Sequence, residues 1–258
     1  MKKSPDIQIE NLTLNFASQV LFNDFTMRLS ANRWTCILGK SGVGKTTLLK
    51  FLAHLIQSNQ KKNQQAISGR VHASDNKPIK GRFSYMAQQD LLMPWLTAFD
   101  NTIIGFHLRC EKLTDGIKNK ALHLFQRVGL AKEAIHRYPY ELSGGMRQRV
   151  AIIRTLMEDQ PIIFMDEPFS RLDAITRLAL QDLAIDLLKD RTVLLVTHDP
   201  LEALRLGDII YVLQGLPAIL SKPITLNEKP PRNPASHLIL QEQIKLLKLL
   251  SVGEKVKK

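Results

Sequence analysis

Hydrophobic positions along this chain follow two different rhythms. Short, nearly unbroken apolar runs at 34–38 (WTCIL), 162–166 (IIFMD) and 192–196 (TVLLV), with a further strand at 7–14, predict strands of a largely buried sheet. Briefer strand-like stretches fall at 67–72 and 82–86. Helical spacing takes over at 47–55 and across 90–158, where 121–128 shows an apolar stripe. Between them, 58–65 is rich in Gln, Asn and Lys and reads as a surface loop. Near the end, EKPPRNP at 228–234 precedes a predicted helix over 236–250. Ser236 is its cap, Leu240, Ile244 and Leu247 form an apolar face expected to dock on its own domain, and Lys245 and Lys248 lie beside that face, the alternative being an anchor on a membrane surface. Strands alternating with helices predict an α/β fold with a largely parallel sheet. The expected organisation is one domain over 1–220, with a helical insert at about 90–158, and a tail over 221–258 bearing one amphipathic helix.

Chemistry collects at two of the strand ends. GKSGVGKTT at 39–47 fits GxxxxGK[ST] and lies between a predicted strand and a predicted helix, the context that pattern requires. Gly39, Lys40, Ser41, Gly42, Val43, Gly44, Lys45, Thr46 and Thr47 would wrap nucleotide phosphates. The glycines let backbone N–H groups point inward, and the helix N-terminus adds partial positive charge. Lys45 then reaches the β- and γ-phosphates, and the Thr46 hydroxyl serves Mg²⁺. A flexible glycine turn with a surface lysine, the bland alternative, leaves the flanking strand and helix unexplained. IIFMDEP at 162–168, about 120 residues beyond Lys45, ends an apolar strand in two adjacent carboxylates. That is costly unless a cation or reacting group sits there. Asp166 would hold Mg²⁺, and Glu167 would orient the attacking water for in-line displacement at the γ-phosphorus.

A third string, LSGGMRQR at 142–149, decides among nucleotide-binding families: it resembles the signature sequence of ATP-binding-cassette (ABC) ATPases. Ser143 suits the cap of a helix over 144–158, and Gly144 and Gly145 leave backbone amides bare enough to meet an anion. The bland alternative is a glycine-softened helix start with Arg147 and Arg149 exposed. The resemblance implies a P-loop NTPase (RecA-like) core, an antiparallel β subdomain and a helical subdomain carrying the signature. It also implies a head-to-tail pair of copies sandwiching two ATP·Mg²⁺, with Ser143, Gly144, Gly145 and Asp173 reaching across to the other copy. Gln88, in SYMAQQD, matches a glutamine that senses Mg²⁺ and the attacking water. His198, in LLVTHDP, matches a histidine that contacts the γ-phosphate, and Phe16, in LTLNFASQVL, matches an aromatic that stacks on adenine. Read without the resemblance, these three are a solvated loop glutamine, a structural histidine and a core phenylalanine. One departure stands out: the family usually reads Ser-Ala-Leu-Asp after the acidic pair, and this chain has Ser170, Arg171, Leu172 and Asp173. Arg171 either tunes closure of the pair or binds an acidic neighbour.

The segment QDLLMPWLTAFDN at 89–101 points to transport. It is expected to expose Leu92, Met93, Pro94 and Trp95, side chains suited to a partner's helix. It resembles the stretch with which ATPases of the nitrate, sulfonate and taurine importer group receive a permease, and its wording is similar to that of ATPases for uptake of a hydroxymethylpyrimidine precursor of thiamine. The alternative is that Trp95 packs inside the helical insert. The resemblance implies a separate membrane permease and, indirectly, a substrate-binding protein, which between them select the solute.

Composition narrows the remaining choices. At 258 residues the chain fits one such unit, and no repeat of the signature strings or long heptad arm appears. The net charge of +12 suits nucleic acid, an anionic membrane face or ATP itself, but the cations are scattered among acids without aromatic interleaving, so no nucleic acid is expected as partner. No apolar stretch approaches the roughly 18–20 residues of a membrane span, and the start MKKSPDIQ lacks a secretory core. A cytoplasmic location, peripheral on the membrane through the permease, is the expectation. Cys36 and Cys110 match no metal spacing and read as buried, reduced thiols. A soluble ABC ATPase acting on nucleic acid is the rival reading, and a non-hydrolysing interaction module is a third, opposed by Lys45, Asp166, Glu167 and His198.

Overall fold

A computed structural model describes residues 4–16, 19–56 and 65–252. The loop read at 58–65 falls, for 58–64, outside these residues. The chain forms two compact units, one built from Met1–Phe83, Pro161–Asp166 and Asp190–Lys258, the other from Ser84–Gln160 and Glu167–Lys189.

In the first unit, β1 (Ile7–Phe16), β2 (Gln19–Leu29) and β4 (Gln65–Ala73) make an antiparallel sheet in the order β2-β1-β4. β3 (Trp34–Leu38), β6 (Ile162–Asp166), β7 (Thr192–Thr197) and β8 (Ile209–Gln214) belong to a second sheet in the order β6-β7-β3-β8, with the short β9 (Ile219–Leu220) antiparallel to β8. Every residue of β3, β6 and β7 is buried, which is why these strands read as continuous apolar runs. Parallel register aligns Leu38 with Thr197 and Asp166 with Val196, so three loops leave neighbouring strands at one edge. Helices α1 (Lys45–Leu52), α6 (Pro200–Leu206) and α7 (His237–Val252) complete this unit. β5 (Phe83–Met86) begins at its boundary.

The second unit is helical: α2 (Ala98–Leu108), α3 (Asp115–Arg127), α4 (Gly144–Met157) and α5 (Ala174–Leu187), with 3-10 turns at Lys132–His136 and Pro139–Glu141. Its helix starts follow capping rules. Thr97, Thr114, Ser143 and Asp173 each accept a backbone N–H from the first turn of α2, α3, α4 and α5.

Several expectations need correction. The helix expected at 47–55 starts two residues earlier and ends at Leu52, because Gly44 supplies the left-handed residue at its cap. The 11-residue strand β2 had no counterpart in the hydrophobic reading, since its buried positions Phe22, Phe25, Met27 and Leu29 switch phase across Asn23 and Asp24. Cys36 is buried as expected, but Cys110 is exposed, at a left-handed residue after α2. Helix α7 forms with Ser236 accepting the Ile239 N–H, yet it docks through Ile239 and Leu246. Leu240, Ile244 and Leu247 stay about half exposed. The proline-rich stretch before α7 is anchored by buried Arg232, which donates to the carbonyls of Leu204 (2.6 Å), Gly207 (2.8 Å) and Glu228 (2.7 Å). Burial pulls the Arg232 pKa below its ordinary value.

Candidate functional site

The first unit carries the predicted phosphate loop, 39–47. Gly39 closely approaches β8: a Cβ there would stand 2.7 Å from the Leu213 carbonyl oxygen, so no other residue fits without displacement. Gly44 takes φ +105° and caps α1 without a side-chain bond. The first turn of α1 contains no acid, which leaves its partial positive charge for an anion. The Lys45 ammonium donates to the carbonyls of Gly39 at 2.7 Å and Lys40 at 2.9 Å, folding the side chain back over the loop while only 5 % of the residue is exposed. Lys40, Ser41 and Gly42 are exposed, and Val43, Thr46 and Thr47 half-buried. Beneath Gly44 lies the ring of buried Phe22, at 3.2 Å from the position of a Cβ. Sequence reading missed this support along with β2.

Asp166 ends β6 and is 1 % exposed, and His198 follows β7 and is exposed. Both lie at the strand edge from which the phosphate loop leaves β3, since β6, β7 and β3 are neighbours. In open α/β sheets this carboxyl edge is where ligands bind. The Thr46 hydroxyl and Asp166 carboxylate are hard oxygen donors of the kind Mg²⁺ selects, so the residues fit that ion. Phe16 ends β1, and its side chain lies outside the described structure.

In the second unit, Gln88 Nε2 donates to Glu167 Oε2 at 3.1 Å. Glu167 is 8 % exposed and takes φ +48°, a strained conformation for a side chain of its kind. That turn is pinned by Ser170, whose N–H (3.3 Å) and hydroxyl (3.0 Å) both donate to the Glu167 carbonyl. It is pinned again by Gln148, fully buried in α4, which donates to the Pro168 carbonyl at 2.6 Å. Gln148 is the seventh residue of the signature string, and nothing in the sequence distinguished it from its neighbours. Ser143 accepts the Met146 N–H at 3.2 Å, as expected for the cap, and Gly144 and Gly145 are half-buried at the helix start. Asp173 accepts the Thr176 N–H at 3.0 Å, which holds its carboxyl below the usual range. Arg147 and Arg149 are engaged: Arg147 pairs with Asp90 at 3.1 Å, and Arg149 donates to the Gly129 carbonyl at 3.0 Å.

The transport segment follows Gln88 directly. Trp95 is 69 % exposed and Leu91 54 %, whereas Leu92 is buried, so the expectation that Leu92 faces outward is wrong. Asn101 fixes this segment: its Oδ1 accepts the Met93 N–H at 2.7 Å and its Nδ2 donates to the carbonyls of Met93, Leu96 and Thr97.

Fold and site define a P-loop NTPase. The ABC transporter family matches residues 22–170. The chain is 43 % identical over 212 residues to an uncharacterized ABC transporter ATP-binding protein of Haemophilus influenzae, covering 81 % of this chain and 82 % of that one. It is 35 % identical over 214 residues to a carnitine transport ATP-binding protein of Listeria monocytogenes, covering 81 % and 53 %. Against an aliphatic sulfonates import ATP-binding protein of Paracoccus denitrificans it is 31 % identical over 251 residues, covering 96 % and 95 %. Among solved structures, a dimeric bacterial ABC transporter cassette matches with a TM-score of 0.71 at 25 % identity, covering 86 % of this chain and 99 % of that one. The chain belongs to the ABC transporter family as an ATP-binding protein, an ATPase that uses ATP and Mg²⁺. Among the described residues no helix is long and apolar enough to cross a membrane.

Proposed function

We propose that this chain is the energy-coupling subunit of an importer, acting as a pair of copies on a separate permease served by a substrate-binding protein. The observation that carries the reading is the continuity from Gln88, bonded to Glu167 at 3.1 Å, to Trp95, 69 % exposed on a segment pinned by Asn101. A solvent-facing tryptophan on an ordered loop suits a partner's helix better than internal packing.

In this reading the 39–47 loop and α1 N-terminus bind the ATP phosphates, and Lys45 neutralises the β- and γ-phosphates. Thr46 and Asp166 hold Mg²⁺, with Gln88 serving ion and water. Mg²⁺ supplies charge neutralisation at the transferring phosphoryl group. Glu167, kept in place by Gln88 and by the bonds to its own carbonyl, accepts a hydrogen bond from the attacking water and aims it at the γ-phosphorus. His198 contacts the γ-phosphate, Phe16 stacks on adenine, and Ser143, Gly144, Gly145 and Asp173 meet the ATP held by the second copy. One ATPase domain over 1–220 carries this machinery, and the tail over 221–258 is an appendage to it. The substrate group proposed is that of nitrate, sulfonate and taurine, including its thiamine-precursor branch. The wording around Trp95 and the full-length likeness to the sulfonates protein support it.

The test is co-purification and turnover. Co-expressed with a candidate importer permease, the chain is expected to co-purify with it and to hydrolyse ATP faster when a loaded substrate-binding protein is added. Trp95→Glu is expected to abolish co-purification and leave isolated turnover intact. Stimulation by DNA or RNA, with no permease retained, would replace this reading by the nucleic-acid one.

A further inference from the structure

Arg171 occupies the position where the resemblance leads one to expect alanine, and the structure gives it a partner. Its Nη1 lies 3.6 Å from Asp90 Oδ2, the oxygen that also accepts Arg147 Nε at 3.1 Å. The next residue, Leu91, has φ +46°, a strained backbone held by Arg154, which donates to the carbonyls of Asp90 (2.6 Å) and Leu91 (2.8 Å). Arginines from α4 therefore fasten this segment to the signature helix, and Arg171 fastens it to the loop after Glu167.

Two cross-ties now join the same pair of loops. Gln88 meets Glu167, and two residues further on Asp90 meets Arg171, four residues after Glu167. An isolated surface pair would count for little. Here one carboxylate, 18 % exposed, is shared between two guanidiniums 31 % and 42 % exposed, so the three groups form a network. We propose that Arg171 is a positioning residue for hydrolysis. By holding Asp90 it sets Gln88 against Glu167, and it ties the same setting to the exposed Leu91 and Trp95. The hydrolytic part rests on the reading of Glu167 given above, and the tie to Trp95 does not.

The chain has two tryptophans, of which Trp34 is buried, so Trp34→Phe leaves Trp95 as the reporter. In that background Arg171→Ala, Arg171→Lys, Asp90→Asn and the Arg171→Ala/Asp90→Asn pair are compared by time-resolved Trp95 anisotropy and by kcat and KM for ATP. Thermal melting checks folding. Arg171→Ala is expected to lower kcat about two- to fivefold with KM nearly unchanged, and to loosen Trp95. Arg171→Lys is expected to recover at least half of both changes, because it keeps the charge. Arg171→Ala is expected to add nothing once Asp90 is Asn. Unchanged anisotropy and kcat in Arg171→Ala, or an equal effect in the Asp90→Asn background, overturns the proposal. If Trp95 loosens while Glu167→Gln still turns over normally, the tie stands and its role in hydrolysis is overturned.

Discussion

The two units build their parts of the site by different means. In the first, the phosphate loop is shaped largely from within its own string: a left-handed cap at Gly44, and a lysine bonded to carbonyls five and six residues away. In the second, the catalytic candidates are placed by side chains from distant parts of the chain, as when Gln88 meets Glu167 across 79 residues and Gln148 meets Pro168 across 20. A loop shaped locally writes itself into a short string. Geometry assembled over long range leaves only isolated residues, whose neighbours the string does not name. The division predicts that damage to the first unit's loop removes nucleotide binding, whereas damage to the second unit's network removes turnover first.

The largest effect that sharpens this division is Glu167→Gln. Removing the carboxylate proposed to orient water is expected to lower kcat about 10²- to 10⁴-fold while ATP still binds, read from steady-state hydrolysis and nucleotide titration together. The same variant should accumulate an ATP-held pair of copies in light scattering. Gln88→Ala is expected to act in the same direction but less, about tenfold in kcat, because Glu167 keeps the bonds to its backbone carbonyl.

Gln148→Leu separates structure from chemistry. It leaves the buried Pro168 carbonyl without its donor, which costs about 1–2 kcal/mol of stability in denaturant melts, and it should lower kcat while leaving ATP affinity unchanged. A loss of affinity equal to the loss of turnover would break the comparison.

The smallest expected effect is a control in the first unit, away from its phosphate loop. The Asp6 carboxyl accepts the Ala31 N–H at 2.6 Å and pairs with Arg28, which holds its pKa below the usual range. A carboxyl depressed on folding stabilises the protein above its unfolded pKa and loses that contribution as the pH falls through the depressed value. Asp6→Asn should therefore cost at most about 1 kcal/mol at neutral pH and flatten the decline below about pH 4, with no change in turnover.

What the sequence disclosed follows the same line. β3, β6 and β7 were legible because strands buried on both faces are apolar throughout, and the phosphate loop, acidic pair and signature were legible because each is contiguous. β2 was hidden by its change of phase, and with it Phe22 under Gly44. The docking face of α7 was misread because Leu240, Ile244 and Leu247 form the more apolar stripe, while the face against α6 and β8 uses Ile239 and Leu246 amid polar neighbours. Trp95 was read correctly as exposed and Leu92 incorrectly, since no periodicity governs a loop. Arg171 was visible as a departure, but its acidic partner, 81 positions earlier in the chain, was not.

The central claim is that the loop proposed to bind the ATP phosphates and the carboxylate proposed to orient water are lodged in different units. Calorimetric titration of ATP·Mg²⁺ into Lys45→Ala and Glu167→Gln, with turnover measured on the same samples, tests it most directly. The account predicts that Lys45→Ala loses both binding and turnover, and that Glu167→Gln binds ATP as tightly as the parent or tighter while hydrolysing almost none. Near-parental hydrolysis by Glu167→Gln, or parental ATP affinity in Lys45→Ala, would contradict it.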